Sequence, residues 1–138
     1  MYYLFESVFV GIYSLIIFIL VSQFIENIYL KLYIVGFIKH FASGYLNIHN
    51  YYCNYGYACK SNYCQNKNCT SDKKNLFFES LFEGILFLAV GCILFELPYN
   101  LKNIYIYFLI GFILHTLFEI FGGHHIYCNY FCISNLTA

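Results

Sequence analysis

Between Glu6 and Glu26 the chain reads SVFVGIYSLIIFILVSQFI (residues 7–25), nineteen residues without a charge. A helix of about 20 apolar residues is long enough to cross the hydrocarbon core of a bilayer. Three further apolar stretches follow. One runs from Ile28 to Ile48 and contains Lys31, Lys39 and His40. The next runs from Leu76 to Leu97, with Glu79, Glu83 and Glu96 towards its ends. The last runs from Lys102 to Gly122 and contains His115 and Glu119. These three reach spanning length only if their ionisable groups sit near an end or face protein, because such groups are costly against lipid. The pattern predicts an all-α integral membrane protein, a four-helix bundle with spans at about 5–25, 28–48, 76–97 and 102–122. Residues 1–138 form a single membrane domain. No basic segment precedes the first span and no small-x-small site follows a short apolar core, so no cleavable signal peptide is expected.

Composition agrees. Of the 138 residues, 61% are hydrophobic, 23% aromatic and 10% charged, against about 25% charged in ordinary soluble domains. The seven cationic side chains are all Lys, balanced by seven carboxylates, and there is no Arg or Trp. A net charge of zero excludes a nucleic-acid binder, which needs basic excess. The apolar content excludes a disordered chain.

The second half repeats the first. Glu6-Ser7-x3-Gly11-Ile12 matches Glu79-Ser80-x3-Gly84-Ile85 at an offset of 73. Gly36-Phe37-Ile38-x-His40 matches Gly111-Phe112-Ile113-x-His115, and His49-x2-Tyr52-Cys53-Asn54-Tyr55 matches His124-x2-Tyr127-Cys128-Asn129-Tyr130, both at an offset of 75. From Tyr33 to Tyr55, nine of twenty-three positions are identical to their counterparts. The expected architecture is therefore two parallel tandem helical-hairpin repeats, residues 1–72 and 73–138, related by a pseudo-twofold along the membrane normal. A Cys-rich loop (His49 to Asn75) and the C-terminal tail then share one side with the N-terminus.

Direction along the chain brings Glu6, His40, Glu79, Glu83, His115 and Glu119 to similar depth near that cysteine side. Gly36, His40 and Gly44 share one helix face, as do Gly111, His115 and Glu119. Small residues on those faces let neighbouring helices approach closely. Such an intramembrane polar cluster can fix helix order by hydrogen bonding, hold a divalent metal, or relay protons. Lys39 can reach the interface or pair with Glu83.

Six cysteines, Cys53, Cys59, Cys64, Cys69, Cys128 and Cys132, lie on the cysteine side, whereas Cys92 falls mid-span and reads as a buried small apolar residue. The even set suits three disulfides with fifteen possible pairings, in segments whose Gly, Asn and Tyr read as loop. The alternative is zinc on His49, Cys53, His124 and Cys128, a His2Cys2 set with repeat-related spacing and with His125 and Cys132 nearby. The absence of Cys-x-x-Cys weakens a thioredoxin-like reading. Orientation cues conflict. Disulfides favour a non-cytosolic cysteine side, as do the triplets Asn68-Cys69-Thr70 and Asn135-Leu136-Thr137. Lys60, Lys67, Lys73 and Lys74 against Lys31 and Lys102 favour the reverse. The non-cytosolic assignment is the expected one.

The Asn, Ile, Tyr, Phe and Lys vocabulary, with Tyr-Cys segments such as Tyr51-Tyr52-Cys53-Asn54-Tyr55, four spans and small size, resembles the uncharacterised small multispanning membrane proteins of AT-rich large DNA viruses. The resemblance covers the style of the whole chain and carries no residue-level function. It implies a virion or host endomembrane location, and it loosens the compartment argument from disulfides, because such viruses often encode their own thiol oxidases. The expected role is a structural membrane component with a disulfide-stapled cap, no catalytic residues and no cofactor. Its expected partners are the lipid bilayer, further copies of itself or other membrane or capsid proteins. The alternative is a small transporter, channel or metal-dependent membrane enzyme using the Glu/His cluster.

Overall fold

The computed structural model describes residues 2–61 and 69–134. Cys64, Lys67, Asn68 and Asn135 lie outside the described residues. Among the described residues the regular structure is helical apart from one short strand pair. Four long helices, α1 (Tyr2–Val21), α2 (Ile28–Tyr45), α4 (Leu76–Glu96) and α5 (Asn103–Ile120), are joined by α3 (Ile48–Tyr55) after α2, and α6 (Gly123–Phe131) follows α5. A 3-10 turn covers Ala58–Ser61, and β1 (Cys69–Ser71) pairs antiparallel with β2 (Cys132–Ser134). Among the described residues three helices, α1, α4 and α5, are long and apolar enough to cross a membrane. The helix α2 has 18 residues, but Lys31, Lys39 and His40 lower its apolarity. The first span is shifted from its expected bounds, starting at Tyr2 and ending at Val21, where Ser22 and its neighbours turn the chain.

The main packing is between helices distant in sequence. α1 lies along α5 and α2 lies along α4, with lesser contacts between α1 and α2 and between α4 and α5. Glycines make these approaches possible. A Cβ at Gly36 would sit 2.6 Å from Phe87 Cβ and 2.9 Å from the Glu83 carbonyl oxygen, and one at Gly111 would sit 2.9 Å from the Val10 carbonyl oxygen. Only a residue without a Cβ lets α2 onto α4, and α5 onto α1, at this separation. Below the polar layer the core consists of Ile17, Phe18, Leu32, Val35, Phe87, Ile106, Tyr107, Ile110 and neighbours. Phe18 and Tyr107 stack at 4.0 Å. Large apolar side chains such as Phe9, Ile16, Phe82 and Ile93 point outward. That arrangement suits a lipid surround, in which an apolar exterior has no hydration cost.

The segments around Cys53 and Cys128 are α-helical, which corrects the expectation of loop there, whereas Cys69 and Cys132 lie on the short strand pair. Asn47 (φ 59°) and Gly122 (φ 75°) hold the left-handed conformation and turn α2 into α3 and α5 into α6. Asn and Gly are the residues that adopt it at least cost. The chain then re-enters a helix, which puts His49 and Cys53, and likewise His124 and Cys128, four apart on one face. Asn50 and Asn54 on α3 clamp β1: the Asn54 amide group bonds the Cys69 carbonyl oxygen and N–H at 2.8 and 3.0 Å, and Asn50 Oδ1 accepts from Ser71 N–H at 2.7 Å. The resulting cap has its own buried core of Cys53, Ala58, Cys59, Cys69, Cys128 and Cys132, flanked by Tyr52 and Tyr127.

Candidate functional site

Two disulfides cross the cap, Cys53–Cys132 and Cys59–Cys128, joining residues 79 and 69 apart in sequence. Cys69 is also oxidised. Cys92 is a free thiol and half-exposed, not buried as expected. Gly91 takes the buried position, packed against Leu32, which turns Cys92 to the flank of α4. Cys53 and Cys128 are disulfide-bonded, so the alternative zinc set of His49, Cys53, His124 and Cys128 belongs to the reduced chain. His125 is exposed on α6.

Directly beneath the cap the expected polar residues form four ion pairs or hydrogen bonds. His40 Nε2 on α2 lies 3.2 Å from Glu79 Oε2 on α4. His115 Nε2 on α5 lies 3.4 Å from Glu6 Oε2 on α1. Lys39 Nζ donates to Glu83 Oε1 at 2.5 Å and stands 5.3 Å over the Phe87 ring. His124 Nδ1 on α6 pairs with Glu119 Oε2 on α5. An ionised carboxylate only accepts, so each contacting histidine nitrogen carries the proton when its partner is charged. Glu6 also reaches the cap, where its Oε1 accepts from the Tyr57 backbone N–H at 2.7 Å. The structure thus brings all six expected cluster residues, Glu6, His40, Glu79, Glu83, His115 and Glu119, into partnered positions at one end of the long helices.

Several residues of this layer escaped sequence reading. His49 and His124, expected as cap ligands, reach down into the layer: their rings lie 4.6 Å from His40 and 4.4 Å from His115 respectively. Tyr52 lies 5.3 Å from His124, Tyr127 lies 5.9 Å from His49, and the two tyrosine rings are 6.3 Å apart. Thr116 Oγ1 meets Ser7 Oγ at 2.9 Å, tying α5 to α1. The i, i+4 spacing from His49 and His124 to their cysteines could have signalled that a shared helix face carries both. Tyr52 and Tyr127 carried the same signal, repeat-related and three residues after each histidine, but the reading of these segments as loop hid it.

Burial governs the groups of the cap. The His49 imidazole is pushed down to about 3, first by burial and then by His40 and Lys39, against an opposing pull from Glu83. Burial raises the Tyr52 phenol, with Glu119 and Glu6 adding to it, and burial followed by Glu79 raises Tyr127. Both tyrosines are therefore neutral phenols and His49 a neutral imidazole at physiological pH. Among the described residues, Glu79 Oε1, Glu119 Oε1 and the Tyr52 hydroxyl are buried without a hydrogen bond of ordinary geometry. The layer can therefore lock helices together by hydrogen bonding, and it holds spare carboxylate lone pairs facing imidazoles. No family model, no curated protein and no solved structure matches the chain.

Proposed function

We propose that the chain is a multispanning membrane scaffold, a four-helix bundle of two parallel tandem hairpin repeats whose extramembranous cap is stapled by disulfides. One observation carries this reading: contacts made by one half recur in the other with the partners exchanged. His40 with Glu79 becomes His115 with Glu6. Cys53 with Cys132 becomes Cys128 with Cys59. Gly11 against Phe108 becomes Gly84 against Tyr33. Asn47 becomes Gly122 at the two left-handed turns. A duplicated hairpin that closed on its own copy produces this pattern, and every exchanged contact serves to hold the two copies together. Under this reading α2 is the fourth span. Its Lys39 is buried against Glu83 and not presented to lipid, which removes the objection to a charged residue at that depth.

The cap then faces a non-cytosolic compartment, where disulfides persist. With the viral resemblance, the setting is a virion or host endomembrane, and the partners are the bilayer, a second copy or other membrane or capsid proteins. Topology is the direct test. Single cysteines placed at Asn27, Asn100 and Tyr2, in a cysteine-free background, are labelled in sealed vesicles with a membrane-impermeant maleimide. Positions 27 and 100 should label on one side and position 2 on the other. Labelling of 27 and 2 from the same side would remove the four-span scaffold. Intact mass of the unreduced chain should be lower by the hydrogens of its disulfides, and free cap thiols would refute the stapled cap.

A transporter, channel or metal-dependent enzyme is the second reading, favoured by the unsatisfied carboxylate oxygens of Glu79 and Glu119. Proteoliposomes loaded with a pH or metal dye separate the two. A flux lost in His40→Gln/His115→Gln supports the second reading, whereas absence of flux with an intact oxidised fold supports the scaffold.

A further inference from the structure

The polar layer is symmetric in its two His–Glu pairs but not in its third member. Glu119 in the second half aligns with Gly44 in the first. Only one side of the layer therefore gathers two imidazoles and a carboxylate from a single short segment. His115 and Glu119 stand one helical turn apart on α5. The left-handed turn at Gly122 folds α6 back so that His124 faces both. Among the described residues, the ligand-capable atoms of His115, Glu119 and His124 lie within 4.8 Å of one another. The Glu119 side chain is only 6% exposed, and its Oε1 is buried without a hydrogen bond of ordinary geometry, the carboxylate interacting with the Tyr52 phenol. The Tyr52 hydroxyl is buried in the same state, its ring 5.3 Å from His124 and 6.1 Å from His115. Glu6 Oε2 approaches the His115 Nε2 from the far side.

We propose that His115, Glu119 and His124 bind one divalent transition metal ion of the zinc class, with Glu6 and Tyr52 at the edge of the site. Two imidazole nitrogens and one carboxylate oxygen are a donor set that zinc accepts, and three protein ligands leave a fourth position open. Donor atoms around tetrahedral zinc stand roughly 3.3 Å apart, so the present cluster has to draw together to close onto an ion. A bound cation would give the buried Glu119 carboxylate a stronger partner than the neutral Tyr52 phenol. The cap sulfurs of Cys59, Cys128 and Cys132 come equally close together but are spent in disulfides. The inference does not depend on the scaffold reading, since a metal could serve either a structural or a catalytic layer.

The test uses the full oxidised chain in detergent, with Cys92→Ser removing the free thiol of α4. Zn2+ binding is measured by equilibrium dialysis, and Co2+ substitutes as the spectroscopic probe. The expected result is one metal per chain, with a Co2+ visible spectrum of nitrogen and oxygen ligation and no sulfur-to-cobalt charge transfer. Glu119→Gln and His124→Gln should each weaken binding by at least about tenfold, while His49→Gln, the aligned histidine of the first half, should leave it unchanged. Circular dichroism and non-reducing electrophoresis verify that each variant keeps its helices and bridged cap. Sub-stoichiometric binding by the unmutated site, sulfur ligation, or equal losses in the His49 and His124 variants would each overturn the proposal. If a site variant fails to fold, the stoichiometry and spectrum of the Cys92→Ser protein still decide it.

Discussion

The two cap disulfides are nested, and nesting makes a quantitative prediction. Cys59–Cys128 lies inside Cys53–Cys132, with sequence separations of 69 and 79. Closing a loop of that size in the unfolded chain corresponds to about 4.5 kcal/mol in the chain-entropy treatment. Once either bridge is in place, the other closes only the short circuit from 53 to 59 and from 128 to 132. That circuit is a loop of about ten residues, worth about 2.7 kcal/mol on the same scale. Removing one bridge, as Cys53→Ser/Cys132→Ser or Cys59→Ser/Cys128→Ser, should therefore cost about 2.7 kcal/mol in either case. Removing both should cost about 7 kcal/mol, more than the two single losses added. Helical structure that survives unfolding in detergent shortens the effective long loop, but each halving lowers the figure by only about 0.6 kcal/mol. Urea titration in detergent, followed by circular dichroism, reads the three values against the parent. Strictly additive losses would refute the nested closure, and so would single losses that differ by several kcal/mol.

Three further outcomes follow from the packing and charge. Lys39→Met strands the Glu83 carboxylate in a buried position and should cost about 3–5 kcal/mol, most of which Lys39→Met/Glu83→Leu recovers; the same titration measures both. Gly111→Ala places a Cβ 2.9 Å from the Val10 carbonyl oxygen and should cost about 1–3 kcal/mol by forcing α5 off α1. Gly122→Ala meets nothing within 4 Å and should cost only the left-handed backbone, about 1 kcal/mol, so the lower melting temperature should belong to Gly111→Ala. The folded-state pKa of His49 lies near 3, below its unfolded value of 6.5, so the unfolded chain binds the extra proton between those values. Its contribution is fully present above pH 6.5 and is lost as pH falls towards 3, at up to about 1.4 kcal/mol per pH unit. His49→Gln should flatten the acid limb of a stability profile by that slope, and an unchanged limb would show that the imidazole is not held neutral.

What the sequence disclosed follows from what one-dimensional patterns encode. An uncharged run such as 7–25 fixes a helix and its environment, because a bilayer demands both length and apolarity. Gly-x3-His spacing disclosed the inward face of α2 and α5 for the same reason, since helical period is local. The depth of Glu6 and Glu79 followed from counting residues. The helices α3 and α6 were hidden, because Asn, Tyr and Gly are weak helix formers and their helicity here rests on tertiary anchors. Those anchors are the buried Cys53 and Cys128 and the Asn50 and Asn54 clamp on β1. Disulfide connectivity was hidden for a different reason: fifteen pairings share one sequence, and only the placement of α3 beside β2 and of the Ala58–Ser61 turn against α6 selects among them. The place of Tyr52 and Tyr127 between the histidines was likewise a product of three-dimensional closure.

Under the proposed repeat, the places where the two halves differ say as much as the places where they agree. Lys39 and Glu83 on the α2–α4 interface align with Leu114 and Val10 on the α1–α5 interface. The same depth thus holds a buried ion pair on one side and aliphatic contact on the other, with Leu114 only 4% exposed. An ion pair in a low-dielectric setting adds little net stability over a well-packed apolar pair, but a mismatch that leaves one charge alone is costly. In a molecule whose two hairpins are near copies, α2 could otherwise pack on α1 of a second chain as readily as on its own α4. Placing Lys39 against Val10 would bury an unpaired ammonium, whereas its own Glu83 satisfies it. The asymmetric pair therefore favours a first hairpin packed on a second hairpin over two first hairpins packed on each other. The Glu119 difference acts at the next level up: it leaves the helix interfaces alone and gives one flank of the layer a carboxylate that the other lacks.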